Sequence, residues 1–250
     1  MSDLFASSRA VLDHAKGHID RVDELMQSFI KSAPYELVVE PDPLYPGRGL
    51  QFLQLCKPIP LSIACFASDA VKNLRASLDH VGFAVATAVG STHSKNTYFP
   101  FGDTEAEARS RLNSASKDIP REIFDLMLAF KPYARGNEAL YRLNKLANVN
   151  KHQSLVRAVL YATNLSFRGP GIGLDTGPRE SVDGKIQVAW IIPGVQPYTE
   201  LEVTVAVRFN DIGQLKFAQS VVDLLRECAR VVERVILTVE AESRRIGLLK

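Results

Sequence analysis

Two segments of the chain carry side chains suited to proton or phosphate chemistry at helical spacing. In SDAVKNLRASLDHVGFAVA, Asp69, Asn73 and His80 fall nearly in line around a helix, and Lys72, Arg75 and Asp79 form an adjoining line. Arg75 and Asp79, four residues apart, can pair. A histidine on such a face could shuttle protons, and an arginine could hold an oxyanion or a phosphate. The plainer reading is an amphipathic helix with one salt bridge and a histidine satisfied by Asp69 or Asn73.

The second segment is KPYARGNEALYRLNKLANVNKHQSLVR, where Tyr141, Asn144, Asn148, Lys151 and His152 recur every three or four residues. From 131 to 157 six basic residues stand against one acid, Glu138. Lys and Arg there could neutralise a phosphate backbone while Asn bonds to bases or sugar. Equally, it reads as a solvated face with basic residues drawn to a helix C-terminus by its dipole.

The elements that must position these groups follow from periodicity. Leu4 to Ile30 alternates apolar and charged residues at helical spacing. YELVVE and GLQFLQLC, separated by the turn formers of PDPLYPGR, read as a strand pair. Leu61 to Ala88, after Pro58 and Pro60, is the central helix, with Ala67, Ala70, Val71, Leu74, Leu78, Val81 and Val85 on its apolar side. Cys65 and Phe83 project from its polar side, which suggests that other protein covers that side. Shorter helices are expected over Glu105–Asn113, Pro120–Phe130 and Glu138–His152. LVRAVLYATNLSF, KIQVAWII and TELEVTVAVRF then read as three antiparallel strands, the last with Leu201, Val203, Val205, Val207 and Phe209 on one face. Arg168 to Asp183, rich in Gly and Pro, is the candidate mobile loop. A final amphipathic helix is expected from Gln214 to about Glu242, with Phe217 on its stripe.

Composition bounds the class. The 250 residues are 46% hydrophobic and 23% charged, with 30 Lys and Arg against 28 Asp and Glu for a formal charge of +2. Those values exclude a disordered or a collagen-like chain, and they exclude a globally basic nucleic-acid binder. The local excess at 131–157 leaves a phosphate-facing patch open. Three cysteines without CxxC spacing indicate neither a disulfide framework nor a zinc site. His14 and His18 stand at i,i+4, but no Glu completes an HExxH pattern, so they read as a surface pair. The glycines of Gly169–Gly173 lack the strand-to-helix context of a phosphate loop. The N-terminus has no secretory pattern and reads as mature protein, and no apolar run is long enough to span a bilayer. A cytoplasmic protein without membrane contact is expected.

Four strings, DAVKNLRASLDH, YFPF, KPY and LNKLANVNKHQSL, resemble in order and spacing an uncharacterised bacterial family. Its members carry D-A-hydrophobic-x-N-L-R-S-A-L-D-H, F-P-I, Q-P-Y and L-x-x-L-x-x-x-D-K-H-R. The resemblance covers about 61–155. Asp69, Asn73, Leu74, Arg75, Leu78, Asp79 and His80 match the first motif, and Phe99, Pro100, Pro132, Tyr133, Lys151 and His152 match the later ones. The chain departs at Asn150, where the family has Asp, and at Gln153, where it has Arg. Arg75-Ala-Ser-Leu-Asp79-His80 also has the R-x4-H form and resembles the HEPN superfamily, helical and often dimeric domains of which many are metal-independent endoribonucleases. That resemblance implies His80 assisting proton transfer at a ribose 2′-hydroxyl while Arg75 stabilises the phosphorane-like charge, in a site completed across a dimer.

The expectation is therefore an α+β protein forming one domain over 1–250, with a helical and hairpin part to about 153 and a β-meander plus C-terminal helix from about 154. Arg75, Asp79 and His80 are the candidate catalytic residues. Asp69, Asn73, Tyr141, Asn144, Asn148, Lys151 and His152 are the candidate ligand-binding residues, and the central and basic helices are expected to bring the two groups into one polar site. The expected ligand is RNA or another phosphate-bearing molecule, with no cofactor and no metal, and a homodimer could form through the central or C-terminal helix. The rival reading is a non-catalytic binding or assembly protein in which Asp69, Asn73, Arg75, Asp79, His80 and His152 form a buried network that fixes helix packing.

Overall fold

The computed structural model describes residues 3–91, 95–152, 158–166, 172–174, 185–194, 202–213 and 215–249, with the backbone alone at 150–152, 158–166, 172–174 and 202–205. The chain is α+β. Its elements are α1 (Ala6–Lys31), β1 (Tyr35–Pro41), β2 (Gly49–Leu55), α2 (Leu61–Ala88), α3 (Glu105–Ser110) with a 3-10 turn at Arg111–Asn113, α4 (Arg121–Ala129), α5 (Glu138–His152), β3 (Ala158–Ser166), β4 (Ile172–Leu174), β5 (Lys185–Ile191), β6 (Glu202–Phe209) and α6 (Val221–Arg245). No helix among the described residues is long and apolar enough to cross a membrane. The chain divides into two compact units, one of 1–22, 65–156 and 222–250, the other of 23–64 and 157–221.

The first unit is helical. Arg9 of α1 pairs with Glu240 of α6, and Lys16 Nζ lies 2.8 Å from Glu233, so these helices run antiparallel. On its other flank α1 meets α2 antiparallel: Ser77 Oγ donates to the Ser8 carbonyl at 2.8 Å, in the core. All seven expected apolar positions of α2 are buried. Gly90, at φ 87°, ends α2 as the left-handed residue, with the Ser91 N–H reaching back to the Ala86 carbonyl at 3.0 Å. Thr104 caps α3 by accepting from the Glu107 N–H at 3.2 Å. In α6, Leu224, Cys228, Val235 and Val239 are buried, and so are Val222, Leu225, Ala229, Val232 and Ile236 beside them. Val231, on the first of these lines, is half-buried, and Leu237 is 58% exposed.

The second unit holds two antiparallel sheets, one ordered β1-β2-β5-β4 and the other β3-β6. The hairpin pairs Tyr35 with Leu55 and Pro41 with Gly49. Its loop is closed by Asp42, whose N–H donates to the Arg48 carbonyl at 2.9 Å and whose carboxylate accepts from the Leu44 N–H at 2.8 Å and from Arg48. The three later strands do not form a meander. β3 pairs with β6, while β5 leaves them to sit between β2 and β4. The reason is visible in β5, whose Ile186, Val188, Ala189 and Ile191 are all buried; a strand apolar on both faces belongs at the centre of a sheet. On β6, Val207 and Phe209 are buried as expected, and Leu201, Val203 and Val205 lie outside the described side chains. The loop expected over 168–183 lies outside the described residues except at β4.

The last helix starts at Val221 rather than Gln214. Phe217, expected on its stripe, instead packs its ring 6.0 Å from that of Phe209, and its carbonyl accepts from the buried Arg208 guanidinium at 2.7 Å. Docking onto β6 holds that segment out of the helix. Ser220, a residue type favoured at N-caps, stands immediately before the first helical residue.

Candidate functional site

Residues 99–105 are where the recognised strings meet. Asp79 on α2 accepts from Arg75 and, through the same oxygen, from the Phe99 N–H at 2.9 Å. The Arg75 guanidinium lies over the Phe101 ring, 4.2 Å from its centroid. From the KPY string, the Pro132 carbonyl accepts from the Gly102 N–H at 3.3 Å, and Tyr133 Oη donates to Glu105 at 3.2 Å. That contact lowers the Glu105 pKa, after the larger effect of Arg109, while burial and Glu105 raise that of Tyr133. From α5, Lys145 Nζ reaches Asp103 at 2.7 Å, which raises the lysine pKa. This short segment, which runs from Phe99 to the first residue of α3, is therefore clasped by α2, α5 and the loop before α5. Arg75 and Asp79 are about a fifth exposed. Their partners are each other and this segment.

His80 has a different setting. Ser7 Oγ of α1 lies 2.8 Å from its Nδ1, which leaves Nε2 as the ring nitrogen open to a ligand. The imidazole lines a groove of about 630 Å³ together with Leu4, Ser7, Asp79, Phe83, Lys95, Thr97 and Tyr98. That size suits a small ligand or one nucleotide unit. Phe83 is 52% exposed and Tyr98 51% exposed, and Lys95 is exposed beside them. The expectation that protein covers Phe83 fails for this reason: the ring forms part of an open groove wall. The opposite wall is held firmly. Tyr98 N–H donates to the Ala115 carbonyl at 3.0 Å, and Ser116 Oγ donates to the Tyr98 carbonyl at 2.7 Å. α2 approaches so closely that a Cβ on Gly82 would lie 1.9 Å from the Thr97 carbonyl oxygen.

The remaining candidates disperse. Asp69 is half-exposed and pairs with Lys72 at 3.3 Å, and Asn73 is half-buried on the next turn. On α5, Asn144 is buried, Asn148 is exposed, and Tyr141 is half-buried with Lys145 Nζ 5.4 Å from its ring centroid. The side chains of Lys151 and His152 lie outside the described residues. The basic excess of 131–157 is partly offset from outside the segment, since Lys145 is paired with Asp103, while Arg142 lies 3.5 Å from Glu138, the segment's own acid. Ser7, Lys95 and Tyr98, which share the groove with His80, were not legible as partners because each comes from a distant segment. Phe83 left a signal, an aromatic on the polar side of an amphipathic helix. No family model, no curated protein and no solved structure matches the chain.

Proposed function

We propose that the groove beside His80 binds a phosphate-bearing ligand, of which single-stranded RNA is the sharpest case, and that Arg75 acts there only through Asp79, whose charge it offsets in the groove wall. The observation that carries this reading is the contrast within one motif. Arg75 is committed to Asp79 and to the Phe101 ring, and Asp79, although it lines the groove, is held by Arg75 and the Phe99 N–H, whereas the His80 imidazole opens onto that groove beside an exposed lysine and two exposed aromatic rings. Lys95 supplies positive charge for a phosphate, and the Asp79 charge is offset by Arg75. Exposed aromatics beside a cation suit single strands, because any base can stack on a ring face.

A second reading, cleavage, is favoured by one feature. In the tautomer whose Nδ1–H donates to Ser7 Oγ, the His80 ring presents an unprotonated Nε2 as a candidate base for a ribose 2′-hydroxyl. In that version Lys95, not Arg75, offsets the charge that develops on phosphorus.

Untagged protein mixed with end-labelled single-stranded RNA in EDTA tests both readings in one tube, by anisotropy and by gel. Expected are salt-sensitive binding and a loss in Phe83→Ala and Tyr98→Ala of roughly 1–3 kcal/mol per stacked base, tenfold or so in affinity. Lys95→Ala should flatten the salt dependence by about one ion. Product that disappears with His80→Ala supports cleavage. RNA affinity unchanged by all of these substitutions removes the proposal.

A further inference from the structure

His14 and His18 of α1 lie in the same helical unit but on a turn remote from the groove. His14 is exposed and His18 half-buried, with the Phe66 ring of α2 5.8 Å from that of His18. Their side chains converge. The two Nε2 atoms are 3.1 Å apart, and the rings meet edge to face with centroids 4.5 Å apart. Each histidine could have extended into water separately, so this convergence is the feature to be explained.

Divalent late transition metals bind imidazole nitrogen at about 2.0–2.1 Å. Two nitrogens 3.1 Å apart at that bond length subtend about 98° at a shared ion, between the octahedral and tetrahedral angles. We propose that His14 and His18 form a two-imidazole clamp for one divalent late transition ion. Among the described residues no group of three or more His, Cys, Asp or Glu is placed to hold a metal, so water completes the coordination. The site is therefore a surface clamp of modest affinity, not a closed structural centre.

The exchange needs no net proton. In the metal-free pair one ring donates its Nε2–H to the other; on binding, that ring carries its proton on Nδ1 instead, and both Nε2 lone pairs face the ion after a small rotation about each Cβ–Cγ bond. Preference should follow the Irving–Williams order, with copper above nickel and zinc, and with magnesium and calcium excluded because they take oxygen donors. The clamp also spans Gly17, an interior helical position with open space around it and the weakest helix former of the turn. An ion joining residues on either side of it would staple that turn.

Calorimetric titration of the untagged chain with nickel chloride, in a buffer that does not chelate, tests the clamp. Expected is one saturable site per chain, weakened at least tenfold in both His14→Ala and His18→Ala and kept in His80→Ala. The chain has five histidines, so this pattern is what assigns the ion to the pair. Alanine is a strong helix former and the positions are at the surface, so both variants should fold, and circular dichroism checks that they do. An increase in melting temperature with nickel, absent from both variants, is the second expected readout. Absence of a saturable site, or nickel binding that survives loss of either histidine, overturns the proposal.

Discussion

The Asp79 carboxylate accepts the backbone N–H of Phe99 at 2.9 Å while it holds the Arg75 guanidinium one turn away on α2. Replacing Asp79 with Ala removes the ion pair and strands an amide donor in a half-buried site, a loss of about 1–3 kcal/mol. The melting temperature should fall by several degrees. Asp79→Asn keeps an acceptor for Phe99 and should lie between the two. If Asp79→Ala melts with the wild type, the clasp contributes nothing and the carboxylate is free for chemistry.

Two glycines in the helical unit should respond to alanine with opposite sign. At Gly82 a Cβ would meet the Thr97 carbonyl oxygen at 1.9 Å, an obstacle of backbone that no rotamer change relieves. Gly82→Ala should cost about 1–3 kcal/mol or more and push the Lys95–Tyr98 wall away from α2. At Gly17 nothing lies within 4 Å and the backbone is helical, so Gly17→Ala should stabilise by about 0.4–1 kcal/mol. Thermal melts of the two variants beside wild type read both signs. A stable Gly82→Ala protein would mean that α2 and residue 97 do not touch.

The contrast between these positions marks what periodicity carries. The limits of α2 and α5, and the burial of Ala67, Leu74, Leu78 and Val85, follow from local patterns of apolar residues, because a helix writes its face into consecutive positions. Strand partners are not written that way. KIQVAWII and TELEVTVAVRF are adjacent strands in the sequence, yet they join different sheets, and β5, with buried residues on both faces, sits between β2 and β4. The start of α6 was displaced for the same reason, by the tertiary bond between Arg208 and the Phe217 carbonyl. At the candidate site the Arg75–Asp79 pair was legible from i,i+4 spacing. Its capture of residue 99, and the arrival of Ser7 at His80, depend on chain segments 20 and 73 residues away.

Thiol chemistry offers a check on packing at α6. Burial pushes the Cys228 thiol up to about 12, with Glu227 adding to the effect, and its sulfur lies 3.4 Å from the Ala139 carbonyl oxygen of α5. The reactive species is the thiolate, so Cys228 should resist a disulfide reagent at pH 8 until the chain unfolds. Cys56 is exposed, although burial of the thiol and Glu36 raise its pKa, and it should react slowly in the native protein. Mass spectrometry of labelled peptides separates the sites. Native labelling of Cys228 at the rate of Cys56 would show that α5 and α6 part readily.

In the β-containing unit, Asp42 predicts a dependence on pH. Burial works to raise its pKa, but the Leu44 amide and the Arg48 guanidinium outweigh burial and hold the carboxyl below the ordinary 3.8. A folded pKa below the unfolded one means that the unfolded chain binds the proton more readily, so stability increases with pH across that interval. The contribution is fully present above the ordinary aspartate value and is lost as pH falls through the depressed folded value. Asp42→Asn cannot ionise, yet it retains a side-chain oxygen to accept from Leu44. The melting temperature of wild type should exceed that of the variant by a constant margin from pH 5 to 7, and the margin should close as pH is lowered below about 4. A margin that does not narrow at all as pH falls below about 4 would assign the difference to shape rather than charge, and the Arg48 contact would then owe nothing to the ionised carboxylate.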